Sequence, residues 1–314
     1  MVEPEPVISV VVACVRPRRT LGRWLDAVAP QARGRGVELL VAVAGDDKIV
    51  RSLQEAHRFV LVTGNADALV PALWGLAMAR ARGTVIVVTI SACIPSADWL
   101  DTIVASHAES DYPGIGGIIE LGLPSSVVDR AIHLVRYTPY LPPLAPAIVP
   151  EIAGDNGTYK RAALSGWLPA IERDGFWEAD IHRILRGRGE RLWLDPRIRV
   201  TFSGSHSILE FSRQRYLHGR MFGRARARSH TPGARAMRAL LAPLVPPFML
   251  ARVLAALGAK HRLDASALLA APLAAWFFVC WAAGEAAGLL ARGGVCGEAG
   301  GPAAESAHAG KRVG

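Results

Sequence analysis

Two acidic side chains near the middle of the chain, Glu178 and Asp180, are the pair best placed for proton transfer. Apolar residues after them recur at helical spacing, and Asp174 stands where it would cap the helix. Glu178 is then expected in the first turn, where unpaired N–H groups favour a carboxylate. Two residues correspond to about 200° around a helix axis, so the acids cannot share one face. We expect one to face a cleft and the other to serve the scaffold. A surface helix with two solvated acids stays the alternative.

The composition is too apolar for an ordinary soluble protein of 314 residues, with 51% hydrophobic residues and a mean hydropathy of +0.25. The apolar excess lies beyond residue 239, and much of the net charge of +9 lies between Arg213 and Arg238. Four cysteines without paired spacing indicate neither a zinc site nor a disulfide framework, so a reducing compartment fits. The apolar run 7–15 lacks a preceding basic segment and predicts a strand rather than a signal peptide.

Apolar, β-branched runs alternate with helical patterns through the first third of the chain. Such alternation predicts a doubly wound α/β sheet with parallel strands, and ligands bind beyond the carboxyl ends of such strands. The expected crevice therefore lies at residues 14–16, 44–47, 64 and 90–93. No Gly-x-Gly-x-x-Gly follows the first strand and no phosphate-loop pattern is present, which argues against a dinucleotide or P-loop fold. The predicted strands are 7–14, 37–43, 59–63, 84–89, 114–121, 191–194 and 198–202, and the predicted helices include 68–80, 127–140 and 208–228.

Seven motifs follow one another in a recognisable order. They are ISVVVAC, VELLVAV, ALWGLAMARARGTVIVVTISACIPSADWL, IGGIIE, GDNGTYKRAAL, GFWEADIHRILRGRGERLWLDP and RQRYLHGRMFGRAR. In this order they resemble a family-2 glycosyltransferase with the GT-A fold, of a bacterial membrane-associated subgroup, from about residue 6 to residue 230. The resemblance implies a GT-A domain at residues 1–230 that transfers a sugar, usually with inversion, from a nucleotide-sugar donor. It also implies a lipid-linked or envelope glycan acceptor at the cytoplasmic face of the cell membrane.

The resemblance also assigns residues on the acceptor side. Glu178 matches the carboxylate that removes the acceptor hydroxyl proton, a role worth ~10²–10⁴-fold in rate. Asp180 matches a second acidic position that orients the helix or contacts the acceptor. Asn156, Tyr159 and Lys160 match a loop of the family that faces the acceptor, although Asn156 is equally at home in a plain turn.

On the donor side the chain departs from the family pattern. The acidic motif that holds a divalent metal against the donor diphosphate corresponds here to Ile90-Ser91-Ala92, which contains no carboxylate. No cofactor is predicted, because these residues give no support for a divalent metal (Mg or Mn). Either basic side chains meet the donor phosphates, or the chain is a catalytically inactive pseudo-glycosyltransferase that serves as a membrane-bound binding or assembly subunit. The candidate donor contacts are Cys14, Arg16, Asp46, Ser91 and Arg220.

Two apolar segments, 240–259 and 268–290, follow the basic run. The second is long enough to span a bilayer core of ~30 Å. The basic residues 260–262 between them oppose a double crossing, so we expect the first segment to lie in the interface or to be re-entrant. A hairpin buried against the domain is the alternative. The basic run predicts anionic lipids as partners, and no nucleic acid, because it has few aromatic residues and no recognition motif. Residues 231–292 are thus predicted as membrane-associated helices and 293–314 as a disordered tail.

Overall fold

Buried β-branched sequences form the parallel half of a nine-stranded mixed sheet in the computed structural model, which describes residues 7–15, 19–204, 206–227 and 230–291. The innermost of these strands is buried at every position, because helices cover it and strands flank it on both sides. The parallel strands are β1 (Ile8–Cys14), β2 (Val37–Ala44), β3 (Val60–Gly64) and β4 (Val85–Ile90). The helices between them are α1 (Arg19–Ala32), α2 (Lys48–His57) and α3 (Val70–Met78).

The second half of the sheet is mixed. Its strands are β5 (Cys93–Pro95), β6 (Gly114–Leu121), β7 (Ala147–Val149), β8 (Asn156–Lys160) and β9 (Leu192–Phe202). The strand order is β3-β2-β1-β4-β8-β6-β9-β5, and β7 pairs with β9. Strand β8 runs antiparallel between β4 and β6, so its first residue lies at the carboxyl end of β4. Helices α4 (Trp99–Glu109) and α5 (Val127–Tyr137) precede and follow β6.

The predicted fold class, a doubly wound GT-A-type mixed sheet followed by a helical hairpin, is confirmed. Two local predictions are wrong. The strands predicted at 191–194 and 198–202 form the single strand β9, in which a register shift against β6 accommodates the Asp195-Pro196 step. The segment 156–160, predicted as a loop, is the central strand β8. The strand was missed because its sequence is polar. Asn156 and Thr158 are nevertheless fully buried, since both side chains hydrogen-bond to carbonyl groups of β6.

Three short helices lie between β8 and β9. They are α6 (Arg161–Leu164), α7 (Leu168–Asp174) and α8 (Glu178–Gly187). The predicted cap at Asp174 is wrong, because Asp174 ends α7 and forms an ion pair with Arg173. Gly175, at a φ of 90° and against the Pro71 backbone, makes the turn into α8. The next residue, Phe176, donates its N–H to the Pro71 carbonyl oxygen over 2.8 Å, which fixes where α8 begins.

Four α-helices follow β9 within the described residues. They are α9 (Ile208–Ala227), α10 (Pro232–Leu241), α11 (Val245–Ala259) and α12 (Ala265–Leu290). Prolines fall in the first turns of α10 and α11, where the missing N–H costs no helical hydrogen bond. Two helical stretches of the described residues, Pro232–Ala259 and Ala265–Leu290, are long and apolar enough to cross a membrane. The tail predicted to be disordered, 293–314, lies outside the described residues.

Candidate active site

A cavity of about 310 Å³ opens between α3, α5, α8, α9 and the segment that leads into β8. This position is at the carboxyl end of β4, the edge of the sheet at which the sequence predicts a ligand crevice. Charged side chains line it from four of these elements. They are Arg136 of α5, Glu151 and Asp155 before β8, Glu178 and Asp180 of α8, and Arg215 of α9.

Glu178 is the first residue of α8, is half-buried, and lines the cavity. A Cβ atom at Gly154 would lie 3.2 Å from the Glu178 carboxyl carbon and 2.9 Å from the Trp74 ring. Because Gly154 has no side chain, the Glu178 carboxyl group has room to lie against it. Burial, together with the negative charges of Asp155 and Glu151, raises the pKa of Glu178 to about 7, although its own backbone N–H and Arg136 act in the opposite direction. Near neutral pH this carboxylate is suited to accept a proton.

Aromatic packing fixes the start of α8. Phe176 is fully buried and meets Trp74 and Tyr159 edge-on, with ring centroids at 6.2 and 5.2 Å. The indole Nε1 of Trp74 donates to the Thr89 carbonyl oxygen over 2.7 Å, which ties this cluster to the carboxyl end of β4. Glu178 therefore projects from a rigid support rather than from a mobile loop.

Asp155 is the second buried acid of the cavity, with 4% of its surface exposed. Its Oδ2 atom pairs with the Arg136 guanidinium and accepts a hydrogen bond of 2.6 Å from the Tyr137 hydroxyl. The other oxygen, Oδ1, is buried and has no hydrogen-bond partner. Such an oxygen is costly unless a ligand supplies a donor. Asp155 can therefore accept a hydrogen bond from a bound hydroxyl group.

Helix α9 supplies a wall of the opposite character. The Gln214 Oε1, Arg215 Nε and His218 Nε2 atoms are each inaccessible to solvent and lack a hydrogen-bond partner. No carboxylate of the described residues forms an ion pair with Arg215. Burial, with a smaller contribution from Arg136, lowers the pKa of Arg215 to about 9, so the guanidinium is still charged at neutral pH. An anionic group is the ligand that such a side chain prefers.

A smaller cavity of about 190 Å³ lies next to the first, at the carboxyl ends of β1 and β3. Val15, Asp67 and Leu69 line it from the sheet side, and Arg213 and Gln214 of α9 line it from above. Because Gln214 lines both cavities, α9 covers two adjoining spaces along one edge of the sheet.

The residues predicted for the acceptor side are spread over the molecule. Asp180 lies at the rim of the first cavity, exposed, and forms an ion pair of 2.7 Å with Arg183. The Asn156 amide is fully buried and hydrogen-bonds to Trp99 and to carbonyl groups of β6 and β9. Tyr159 is buried against His182. Lys160 pairs in register with Val85 at the amino end of β4, the far end of the strand from the cavity.

The residues predicted for the donor side do not converge either. Cys14 is buried at the end of β1, and the Ser91 hydroxyl is buried 2.9 Å from that of Thr20. The Asp46 carboxylate is exposed and paired with Arg51. The Arg220 backbone packs against α12, and its side chain is outside both cavity linings. Arg16 lies outside the described residues. Of the predicted residues, the larger cavity brings together only Glu178 and Asp180, and the roles of the others stay predictions.

A divalent metal does not fit the residues at the end of β4. Ile90 and Ala92 offer no ligand atom, and the Ser91 hydroxyl is already hydrogen-bonded to Thr20. Within the described ranges, no group of three or more His, Cys, Asp and Glu side chains is arranged to hold a metal ion. Asp155 lies nearby, but its ion pair with Arg136 occupies one carboxylate oxygen.

Sequence reasoning missed Asp155, Arg136, Gln214 and His218 as cavity residues. Asp155 had a usable signal, because it lies in the Gly-Asp-Asn-Gly segment directly before a strand. Arg136 had a weaker one, a basic residue in the last turn of a helix. Gln214 and His218 are unremarkable in the sequence and become visible only when α9 lies across the cavity.

The strand order and this site define a GT-A-type fold, and comparison with solved structures agrees. The chain is similar to a mannosyltransferase, PcManGT from Pyrobaculum calidifontis, solved with GDP-Man and Mn²⁺, with 17% sequence identity and a TM-score of 0.51. The match covers 90% of this chain and 87% of PcManGT. No protein-family model and no curated protein matches the sequence.

Two more distant likenesses lie below the level at which a shared fold can be argued. GalNAc-T7, solved with UDP, GalNAc and Mn²⁺, has a TM-score of 0.46 at 14% identity, over 64% of this chain and 44% of that one. Residues 1–349 of TarS from S. aureus have a TM-score of 0.42 at 14% identity, over 67% of this chain and 63% of that one. The fold is thus shared with a sugar-transferring enzyme, and the chemistry must be argued from the cavity.

Proposed function

We propose that this chain is an inverting glycosyltransferase that moves a sugar from a nucleotide-sugar donor to a glycan acceptor. The observation that carries the proposal is Glu178, a carboxyl group with a pKa raised to about 7 that faces a cavity at the carboxyl edge of a GT-A-type sheet. A base poised near neutral pH is what deprotonation of a sugar hydroxyl requires.

The proposed reaction is a single displacement. The acceptor hydroxyl binds in the larger cavity, and Glu178 takes its proton as the acceptor oxygen attacks the anomeric carbon of the donor. The bond between that carbon and the nucleoside diphosphate breaks on the opposite face, and the nucleotide leaves with the bonding electrons. Attack and departure on opposite faces invert the anomeric centre. Asp155, held by Arg136 and Tyr137, orients the acceptor through its unpartnered oxygen.

Donor binding is proposed to depend on cationic side chains rather than on a metal ion. The nucleoside diphosphate carries negative charge, and the Arg215 guanidinium faces the larger cavity without a carboxylate partner. The adjoining smaller cavity, at the ends of β1 and β3, offers room for the nucleoside. Arg16, which follows β1 in the sequence, keeps its predicted role as a further phosphate contact.

The acceptor is proposed to be lipid-linked or to belong to an envelope glycan, reached at the cytoplasmic face of a cell membrane. Support comes from the two long apolar helical stretches that follow the basic helix α9. Membership of glycosyltransferase family 2, in a bacterial membrane-associated subgroup, is part of the same proposal and depends on the motif order in the sequence.

A screen of nucleotide sugars by thermal shift tests the proposal. A donor that binds the folded protein raises the midpoint of unfolding, because at a hundredfold excess over its Kd it adds about 2.7 kcal/mol of stability. We expect one nucleotide sugar to do so, and to release its nucleotide when a lipid-linked acceptor is added. If the protein is folded and none binds, the pseudo-glycosyltransferase hypothesis replaces this one. The absence of acids at Ile90–Ala92 is the observation that favours it.

A further inference from the structure

The exposed positions of α12 form one apolar stripe along the whole helix. Leu269, Trp276, Val279 and Leu290 are 67%, 50%, 43% and 59% exposed, and the exposed residues recur every three or four positions. That spacing places them on a single helix face. A 26-residue helix is about 39 Å long. The chain therefore presents to solvent a long, narrow surface without a charge on it, which we call the α12 stripe.

The opposite face of α12 is seated on the domain from end to end. In its first half, small side chains such as Ala270 and Ala274 are buried, and this half packs on α5. In its second half, Phe277 packs on Phe211 of α9 with ring centroids at 4.7 Å. Further along, a Cβ atom at Gly284 would lie only 2.1 Å from a backbone oxygen of α9. Helix α12 is thus a wall of the domain and not a separate anchor.

The helix that α12 packs on is highly charged. Helix α9 contains five arginines and one acid. It runs parallel to α12, since Phe211 meets Phe277 near its start and Arg226 forms an ion pair with Glu285 near its end. If α12 crossed a bilayer, the second half of α12 would carry α9 to the depth of the acyl chains. Each arginine placed there costs at least ~2.5 kcal/mol. A transmembrane position for α12 is therefore excluded by its neighbour.

The surroundings of the stripe favour an anionic lipid surface as its partner. On α10 and α11, Leu240, Leu244 and Phe248 are 74%, 63% and 62% exposed. From residue 230 to 291 the chain has five Lys and Arg residues against two acids. A second copy of this chain would bring like charges together, whereas anionic headgroups complement them. Apolar side chains beside basic ones are typical of helices that lie in the membrane interface.

We propose that α12 lies in the plane of one leaflet of an anionic bilayer, with its stripe toward the acyl chains, and does not cross the membrane. Helices α10 and α11 extend the same contact. The inference rests on the membrane association in the proposed function and chooses between the two positions, spanning or interfacial, that the sequence leaves open for the second apolar segment. The cavity is then held at a fixed height above the leaflet in which a lipid-linked acceptor would be anchored.

Depth measurements on the full-length protein test the orientation. An environment-sensitive fluorophore is attached at Leu269→Cys, Val279→Cys or Leu290→Cys, with Cys280 and Cys296 replaced by serine. The protein is bound to equimolar phosphatidylglycerol and phosphatidylcholine vesicles that carry a nitroxide quencher near either the headgroup or the acyl end. We expect the same ratio of shallow to deep quenching at all three positions, within twofold. A spanning helix would place the central probe about 15 Å deeper than the ends, and that result would overturn the proposal.

Substitutions in the stripe test the lipid contact in a second experiment. Leu269→Glu combined with Val279→Glu should weaken vesicle binding at least tenfold, whereas Ile49→Glu, a residue 62% exposed on α2, should leave it unchanged. Unaltered melting curves show that the variants fold. If the wild type does not bind vesicles, or is a dimer that these substitutions dissociate, the stripe belongs to another partner and the proposal fails. Sugar transfer to a short-chain soluble acceptor, measured without lipid, reports on the glycosyltransferase proposal separately.

Discussion

The end of β4 and the start of α8 face the same edge of the sheet but differ in charge. At the end of β4, Ile90, Ser91 and Ala92 are buried, neutral and satisfied by their own neighbours. At the start of α8, Glu178 is joined by Asp155, one of whose buried oxygens has no partner. The polar groups of the first region are satisfied within the fold, whereas the second region keeps a buried oxygen to which a bound ligand can donate.

This difference shows where the free energy of binding has to come from. In the proposed reaction the anionic donor meets no metal ligands at the end of β4, so we expect its charge to be met partly from α9, where Arg215 is buried without a counter-ion. The acids at α8 are then left for the acceptor. Each prediction below tests one half of this division.

The largest effect is expected from Glu178→Gln. The amide keeps the shape of the side chain and cannot take a proton, so turnover should fall by ~10²–10⁴-fold while donor affinity stays nearly unchanged. Because a pKa of about 7 governs the base, wild-type turnover should rise with pH through that value and then level off. Steady-state assays from pH 5 to 9 measure both. Glu178→Asp should keep part of the activity, and Asp180→Asn most of it; a dead Asp180→Asn would move the base to that residue.

The same substitution should also change stability. The pKa of Glu178 is raised in the folded protein from 4.5 to about 7, so the folded state holds a proton that the unfolded state releases between these values. Wild-type stability therefore falls as pH rises from about 4.5 to 7. Since one pKa unit corresponds to ~1.4 kcal/mol, Glu178→Gln should be more stable than the wild type by up to about 3 kcal/mol above pH 7, and equal to it at pH 4. Urea unfolding at pH 4 and pH 8 measures the difference. Equal stability at both values would mean that the carboxyl group is solvated.

A smaller effect is expected at the donor side. Arg215→Ala should weaken donor binding about tenfold or more, because a charge-assisted hydrogen bond contributes ~1.5–3 kcal/mol. Arg224→Ala, on an exposed position of the same helix, is the matched control and should change affinity less than twofold. The sequence-based assignment of this role to Arg220 predicts the opposite ranking of Arg215→Ala and Arg220→Ala. Titration calorimetry with the donor found by the screen decides between them.

The smallest effect is expected from removing divalent ions. Ile90–Ala92 offer no carboxylate, so donor affinity and turnover should stay within twofold when a chelator is added. The measurement is the same titration with chelator and with added Mn²⁺. A manganese requirement would show that an acid such as Asp46, Asp47 or Asp98 serves as a metal ligand. It would contradict the division between a donor side without metal ligands and an acidic acceptor side.

The parallel half of the sheet was predictable because short hydrophobic runs between helical patterns indicate buried strands. Strands β1, β2 and β4 are short, almost continuously buried runs rich in β-branched residues, and their alternation with helical patterns predicts parallel strands covered by helices. Strand β8 could not be found in this way. Asn-Gly-Thr-Tyr-Lys is polar and has the composition of a turn, and only the carbonyl groups offered by β6 make its burial favourable.

The site was predictable to the extent that its chemistry is local. Glu178 follows from a helix start, which the sequence shows directly, although Asp174 was wrongly taken as the cap. Asp155 and Arg215 are brought to the cavity by segments that lie far apart in the sequence, and no local pattern reports whether a buried charge has a partner. Lys160 is close to Asn156 in the sequence but not at the same end of the sheet, because the two residues lie at opposite ends of the antiparallel strand β8.

Helix α9 belongs to two surfaces at once. One face carries Gln214, Arg215 and His218 into the cavity, and the other, through Gly219 and Gly223, rests directly on the backbone of α12. A rigid helix cannot move at one face and stay still at the other, so any shift of α9 on donor binding is also a shift of the lipid-facing helix. By thermodynamic linkage, the bilayer then changes the affinity for the donor by the same factor as the donor changes the affinity for the bilayer. If both proposals hold, the membrane is an allosteric effector of the proposed enzyme as well as its location.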